Sequence, residues 1–98
     1  MSTLHVISHS PFGDNRLDSC LRLLGANDGL LLCGDAVYAL QPGSTACERL
    51  AASNLGPRLF ALEEDLLARA IANSPARAVD YPAFVALSLD YDKVNSWI

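Results

Sequence analysis

Apolar residues recur along this chain in two alternating rhythms, short unbroken runs and longer stretches at helical spacing. The densest run is Leu30-Leu31-Leu32-Cys33, which follows the turn pair Asp28-Gly29. A strand with one wet face alternates apolar and polar residues. This one does not, so it is expected to be buried on both faces, as in a parallel sheet covered by helices. Gly34-Asp35 closes the run, and a short apolar helix from Ala36 to Leu40 is expected next. In open α/β sheets the carboxyl ends of strands meet ligands and partners. The stretch Cys33 to Tyr38 is therefore expected at the working edge of the molecule.

The other elements follow the same reasoning. Thr3 to Ser8 predicts the first strand, and Pro11 and Gly13 lie in the break after it. Asp14 or Asn15 is placed to cap a helix that runs to about Leu24, with Leu17, Leu21 and Leu24 on one side, Cys20 beside them, and Gly25 as its C-cap. Gln41 to Ser44 is a loop. Thr45 to Ser53 is helical, with Ala46, Cys47, Leu50 and Ala51 as its core face. After Gly56-Pro57, Arg58 to Leu62 is a third strand. The acidic run Glu63-Glu64-Asp65 then suits the positive end of a helix dipole. Leu66, Leu67, Ala70 and Ile71 give that helix its apolar side, and Asn73-Ser74-Pro75 stops it. Arg77 to Asp80 is a short strand. Pro82 fits the first position of a last helix whose apolar residues are Phe84, Val85, Leu87 and Leu89. Strands alternating with helices predict a three-layer α/β/α fold. The sheet is expected to be mainly parallel with four strands, a fifth short one falling near the last helix or in the tail from Tyr91 to Ile98. No repeat or linker interrupts the 98 residues, so one domain over 1–98 is expected.

Composition narrows the function. Hydrophobic residues make up 51% of the chain. A domain this small buries only roughly 60–70% of its unfolded surface, so this apolar content points to partner subunits covering the remainder. The net charge is −4 and no basic run occurs, which disfavours direct contact with nucleic acid. No apolar run reaches the length of a membrane helix, and the N-terminal residues lack the pattern of an export signal. The three cysteines match neither a disulfide framework nor a zinc motif, so a reducing, cytoplasmic setting is expected.

Candidate chemistry is sparse. There is no glycine-rich phosphate loop and no Walker sequence, and no cofactor is expected. Three consecutive acids on a helix cannot converge on one metal, so Glu63-Glu64-Asp65 is expected to be a solvated helix start. Cys33 and Cys47 are expected to pack as small hydrophobes. Cys20 lies mid-helix one turn after Arg16, whose guanidinium can favour a thiolate, but packing is the favoured reading of the residues alone. His5 is expected to be a hydrogen-bonded core residue. His9 and Asp35 fall at the same sheet edge, where a contact between them is conceivable. Trp97, Tyr38 and Tyr91 suit either interface anchors or ordinary packing.

The ordered set of segments resembles the TusB/DsrH family of sulfur-relay subunits. It begins with Leu4-His5, Ser10-Pro11-Phe12, Leu23-Leu24-Gly25 and Asp28-Gly29-Leu30-Leu31-Leu32. It continues through Asp35-Ala36-Val37-Tyr38-Ala39, Leu62 to Arg69 and Asp80 to Val85, and closes on Val94-Asn95-Ser96-Trp97-Ile98. The resemblance implies the three-layer fold of the DsrE/DsrF/DsrH group. It also implies a heterohexamer with TusC-like and TusD-like paralogues, two copies of each subunit. In the TusBCD form, a TusD cysteine takes persulfide sulfur from TusA and passes it to TusE. The sulfur then reaches the MnmA enzyme, which makes 2-thiouridine at the tRNA wobble position. TusB there is a supporting subunit that touches neither nucleic acid nor membrane. The alternative is a DsrH-type subunit of a DsrEFH complex in sulfur oxidation. Ser19-Cys20-Leu21 resembles that branch, which makes Cys20 the candidate sulfur carrier. Gly34 and Ala36 depart from the acidic residue and glycine that flank the aspartate in many relatives.

Overall fold

The computed structural model describes residues 2–13, 15–72 and 74–97. Five strands form one parallel sheet in the order β4-β3-β2-β1-β5. They are β1 (Thr3–Ile7), β2 (Gly29–Leu32), β3 (Leu59–Leu62), β4 (Arg77–Val79) and β5 (Lys93–Trp97). The helices are α1 (Arg16–Leu23), α2 (Thr45–Ala52), α3 (Glu63–Ala68) and α4 (Tyr81–Asp90), with 3-10 helices at Gly34–Leu40 and Gly56–Arg58. The expected α/β/α architecture is thus present. The fifth strand lies in the tail and pairs with β1 from Thr3↔Lys93 to Ile7↔Trp97.

The strand order explains the two unequal helical layers. Crossovers from β1 through β4 all step in one direction, and the last returns across the sheet to the far side of β1. Crossovers of one hand then place the first helices on one face and the last on the other. Accordingly Ile7, Leu30, Leu32, Leu59 and Ala61 pack with Leu17, Cys20, Val37, Leu40, Leu50 and Leu66 from α1, the first 3-10 helix, α2 and α3. On the opposite face Leu4, Leu31, Phe60, Leu62 and Val79 pack with Val6 and Cys33, with Phe84 and Leu87 of α4, and with the following Tyr91. All four residues of β2 and all four of β3 are buried, which is why both lack alternation.

Several local expectations are corrected. Asn15 stands at the N-cap of α1 without a side-chain capping bond, and the alternative cap Asp14 lies outside the described residues. Helix α1 ends in extended backbone at Leu24, and Gly25 is not its left-handed cap. Instead the Gly25 amide donates to Asp28 Oδ2 at 2.8 Å. In α2 Leu50 is buried and Ala46 packs against the same core as expected, while Ala51 faces solvent. Arg58 belongs to the second 3-10 helix rather than to β3. Helix α3 stops at Ala68, short of Ala70 and Ile71, and Leu67 is exposed. Ala70 adopts the left-handed φ of 52°, which an alanine occupies only when its surroundings hold it there. Of the residues predicted to stop this helix, Asn73 lies outside those described, as does Ile98 at the end of the tail. In α4 Asp80 Oδ1 accepts from the Ala83 amide at 2.9 Å as the N-cap, which puts Pro82 second rather than first. Phe84 and Leu87 reach the sheet, but Val85 and Leu89 do not.

Candidate functional site

The carboxyl ends of β1, β2 and β3 bring one polar cluster together. Cys33 follows β2, and its thiol donates to the Ile7 carbonyl at 3.6 Å. Gly34 then turns with φ 53°, a left-handed conformation that suits glycine, and an added Cβ would lie 3.2 Å from the Ser8 carbonyl oxygen. The Gly34 amide donates to Asp65 Oδ2 at 2.8 Å, so the first turn of α3 clamps the start of the 3-10 helix. In that helix Ala36, Val37, Ala39 and Leu40 are buried, leaving Asp35 exposed and Tyr38 half-buried.

Arg69 ties this corner together. Its guanidinium donates to Asp35 Oδ1 from Nη2 at 2.8 Å and from Nε at 3.2 Å, and Nη1 lies 3.5 Å from Asp65 Oδ1. It also sits 5.6 Å above the Tyr38 ring, whose other neighbour is Phe12 at 6.5 Å between centroids. Asp35 is therefore engaged by Arg69, while His9 stands exposed, and the His9–Asp35 contact is not made. Asp65 was expected in a solvated acidic run; its pairing with Arg69 follows the helical four-residue spacing, but its brace on Gly34, 31 residues away, leaves no local sequence signal.

The cysteines fall in three settings. Cys20 is completely buried against the sheet, and desolvation, with the negative charge of Asp28, pushes its pKa up to about 12. At neutral pH its thiol is protonated, and in this conformation no sulfur donor reaches it. Cys33 is half-buried; burial first, and the Asp65 carboxylate second, raise its pKa as well. Cys47 is half-buried on α2, where its backbone amide donates to the capping Ser44 hydroxyl at 3.1 Å. Neither Cys20 nor Cys33 is activated toward nucleophilic attack by its surroundings.

A second network stands at the opposite end of the strands. Asp28 accepts from the Thr3 amide at 2.9 Å and from Gly25 N, and its Oδ2 is 3.3 Å from His5 Nε2. Burial opposes ionisation here, but these hydrogen bonds hold the Asp28 carboxyl below its usual range. The Trp97 indole N–H donates to His5 Nδ1 at 3.0 Å, so the ring proton sits on Nε2 and faces Asp28. His5 is thus the hydrogen-bonded core residue expected from the sequence. Arg58 Nη1 donates to the Asp28 carbonyl at 2.7 Å. Trp97, Tyr38 and Tyr91 are all partly buried, each against a neighbour in this chain.

Concavities are shallow. A groove of about 460 Å³ runs between Phe12, Leu17, Ser44 and Arg49, with Arg49 engaged by Asp18. No group of three or more His, Cys, Asp or Glu residues able to hold a metal occurs among the described residues. No helix among them is long and apolar enough to cross a membrane.

Comparison with known proteins gives a consistent picture. A family model described as DsrH like protein matches residues 9–94. The chain is 35% identical over 97 residues to Protein TusB of Enterobacter sp. (strain 638), a match covering 96% of this chain and 99% of that one. It is 37% identical over 97 residues to Protein TusB of Erwinia tasmaniensis, with the same coverage. Among solved structures, the ychN protein from E. coli superposes with a TM-score of 0.76, covering 99% of this chain and 100% of that one at 20% identity. At that identity the likeness speaks to the fold alone.

Proposed function

Because the chain belongs to the TusB/DsrH family, we propose that it is a TusB-type subunit of a cytoplasmic, hetero-oligomeric sulfur relay serving 2-thiolation of the tRNA wobble uridine. The observation that carries this reading is the 35–37% identity to TusB proteins over 99% of their length. In the mechanism so proposed, persulfide sulfur moves by thiolate attack on an outer sulfur. The reacting cysteine is on a TusD-like paralogue, which takes sulfur from a TusA-like donor and hands it to a TusE-like acceptor. This chain positions that paralogue. Its fit to a supporting role rests on the state of its own thiols: Cys20 is sealed and neutral, and Cys33 is held toward the neutral form. The same burial weighs against the DsrH-type alternative in which Cys20 accepts persulfide.

The test is complementation. In a bacterial strain lacking its own TusB, expression of this chain should restore 2-thiouridine in tRNA hydrolysates measured by mass spectrometry. Restoration should survive Cys20→Ala. Expression of folded chain without any recovery of thiolated uridine would defeat the proposal.

A further inference from the structure

We propose that the outward ridge of α4 is a docking surface for a different polypeptide, one presenting an apolar helical ridge with Lys or Arg at its ends. This rests on the reading of the chain as a hetero-oligomer subunit and says where one partner sits. Phe84 and Leu87 turn inward onto the sheet. Tyr81, Val85 and Leu89, spaced four apart, form a line on the opposite side, and they are 54%, 58% and 81% exposed. No residue of α4 is buried, although eight of its ten residues, from Tyr81 to Leu89 without Ser88, are apolar. Single exposed apolar side chains are common on monomers; a continuous line of three large ones along a helix is the mark of a covered face. On the adjoining edge strand, Val94 pairs with Leu4 and so shares the α4 face, and it too is exposed.

Charge selects the occupant. Asp80 caps the start of the ridge, Asp90 and Asp92 follow its end, and all three are exposed. The described cations nearby leave Asp80 and Asp92 uncountered and reach the ridge only at Asp90. Arg77 lines the groove between β4 and α4 together with Asp90. Lys93, one residue out of register with Val94, projects to the opposite face of the sheet. Two copies of this ridge related by a two-fold axis would bring acidic ends against acidic ends, which disfavours self-association. A partner with basic ends is attracted and held in one register.

The experiment uses the whole chain co-expressed with its TusC-like and TusD-like paralogues. Binding is followed by size-exclusion chromatography and by titration at two salt concentrations. Val85→Asp with Leu89→Asp should weaken capture at least about tenfold, since apolar interface anchors dominate binding energy. Because both side chains are exposed, the circular dichroism and melting midpoint of the isolated chain should barely change. Asp80→Asn with Asp90→Asn and Asp92→Asn keeps the cap acceptor but removes three charges, and should weaken binding while flattening its salt dependence. A wild-type complex that the aspartate pair leaves intact would overturn this inference and leave the parent reading standing. A homodimer formed through the ridge and dispersed by the same pair would overturn it as well. Capture of neither paralogue by the wild-type chain would overturn both.

Discussion

The carboxylate of Asp28 holds the Thr3 amide and the His5 imidazole at once, so the residue before β2 fixes the position of β1 beside it. Replacing Asp28 by Ala leaves partly buried donors unpaired and should lower stability by about 2–4 kcal/mol in urea unfolding. Its pH dependence has a definite sign. The folded carboxyl titrates below the ordinary 3.8, so its contribution is complete above the unfolded value and drains away as pH falls through the folded one. The melting difference between wild type and Asp28→Asn should be constant near neutrality and shrink in acid, below about pH 4.

Gly29 has no room for a side chain. A Cβ there would lie 2.3 Å from Tyr91 Oη and 2.7 Å from its Cζ. Gly29→Ala should therefore cost about 1–3 kcal/mol through displacement of the ring. In a Tyr91→Ala background the same substitution should cost much less, and a double-mutant cycle reads that coupling directly.

Cys20 should behave as a buried hydrophobe. Cys20→Ala is expected to cost about 1 kcal/mol while leaving thiolation of tRNA intact. In the native chain, alkylation should reach the half-buried Cys33 and Cys47 well before Cys20, with all three labelled after denaturation. A persulfide mass adduct on Cys20 in the native complex would contradict this assignment.

Asp65 should govern both the backbone of Gly34 and the thiol of Cys33. Asp65→Ala removes the acceptor of the Gly34 amide, whose hydrogen exchange should accelerate. Asp65→Asn removes the charge that helps to raise the Cys33 pKa, so the midpoint of Cys33 alkylation against pH should move down. Burial, the larger cause, remains, and the thiol should still titrate above the usual cysteine value.

The sequence revealed the sheet through its fully apolar runs. Leu30-Leu31-Leu32 and Leu59 to Leu62 carry no alternation because both faces of these strands are covered, and that condition marks the centre of a parallel sheet. The ends of elements were less legible. The spacing of Leu66, Leu67, Ala70 and Ile71 continues a helix, yet the helix stops where Arg69 is drawn to Asp35, 34 positions away. The apolar residues of α4 mark a helix but do not say which of them meet the sheet: Phe84 and Leu87 do, and Val85 and Leu89 do not, because composition registers hydrophobicity and not cover. Asp28 looked like half of a turn; its three hydrogen bonds depend on where β1 and α1 come to rest. Family membership came through the order of many weak segments, and no short motif carried it.

The native mass of the complex recovered when this chain is co-expressed with its TusC-like and TusD-like paralogues tests the proposed role most directly. A hexamer containing two copies of each subunit is the expected result. A chain of 10.5 kDa that elutes alone, folded and indifferent to both paralogues, would contradict it.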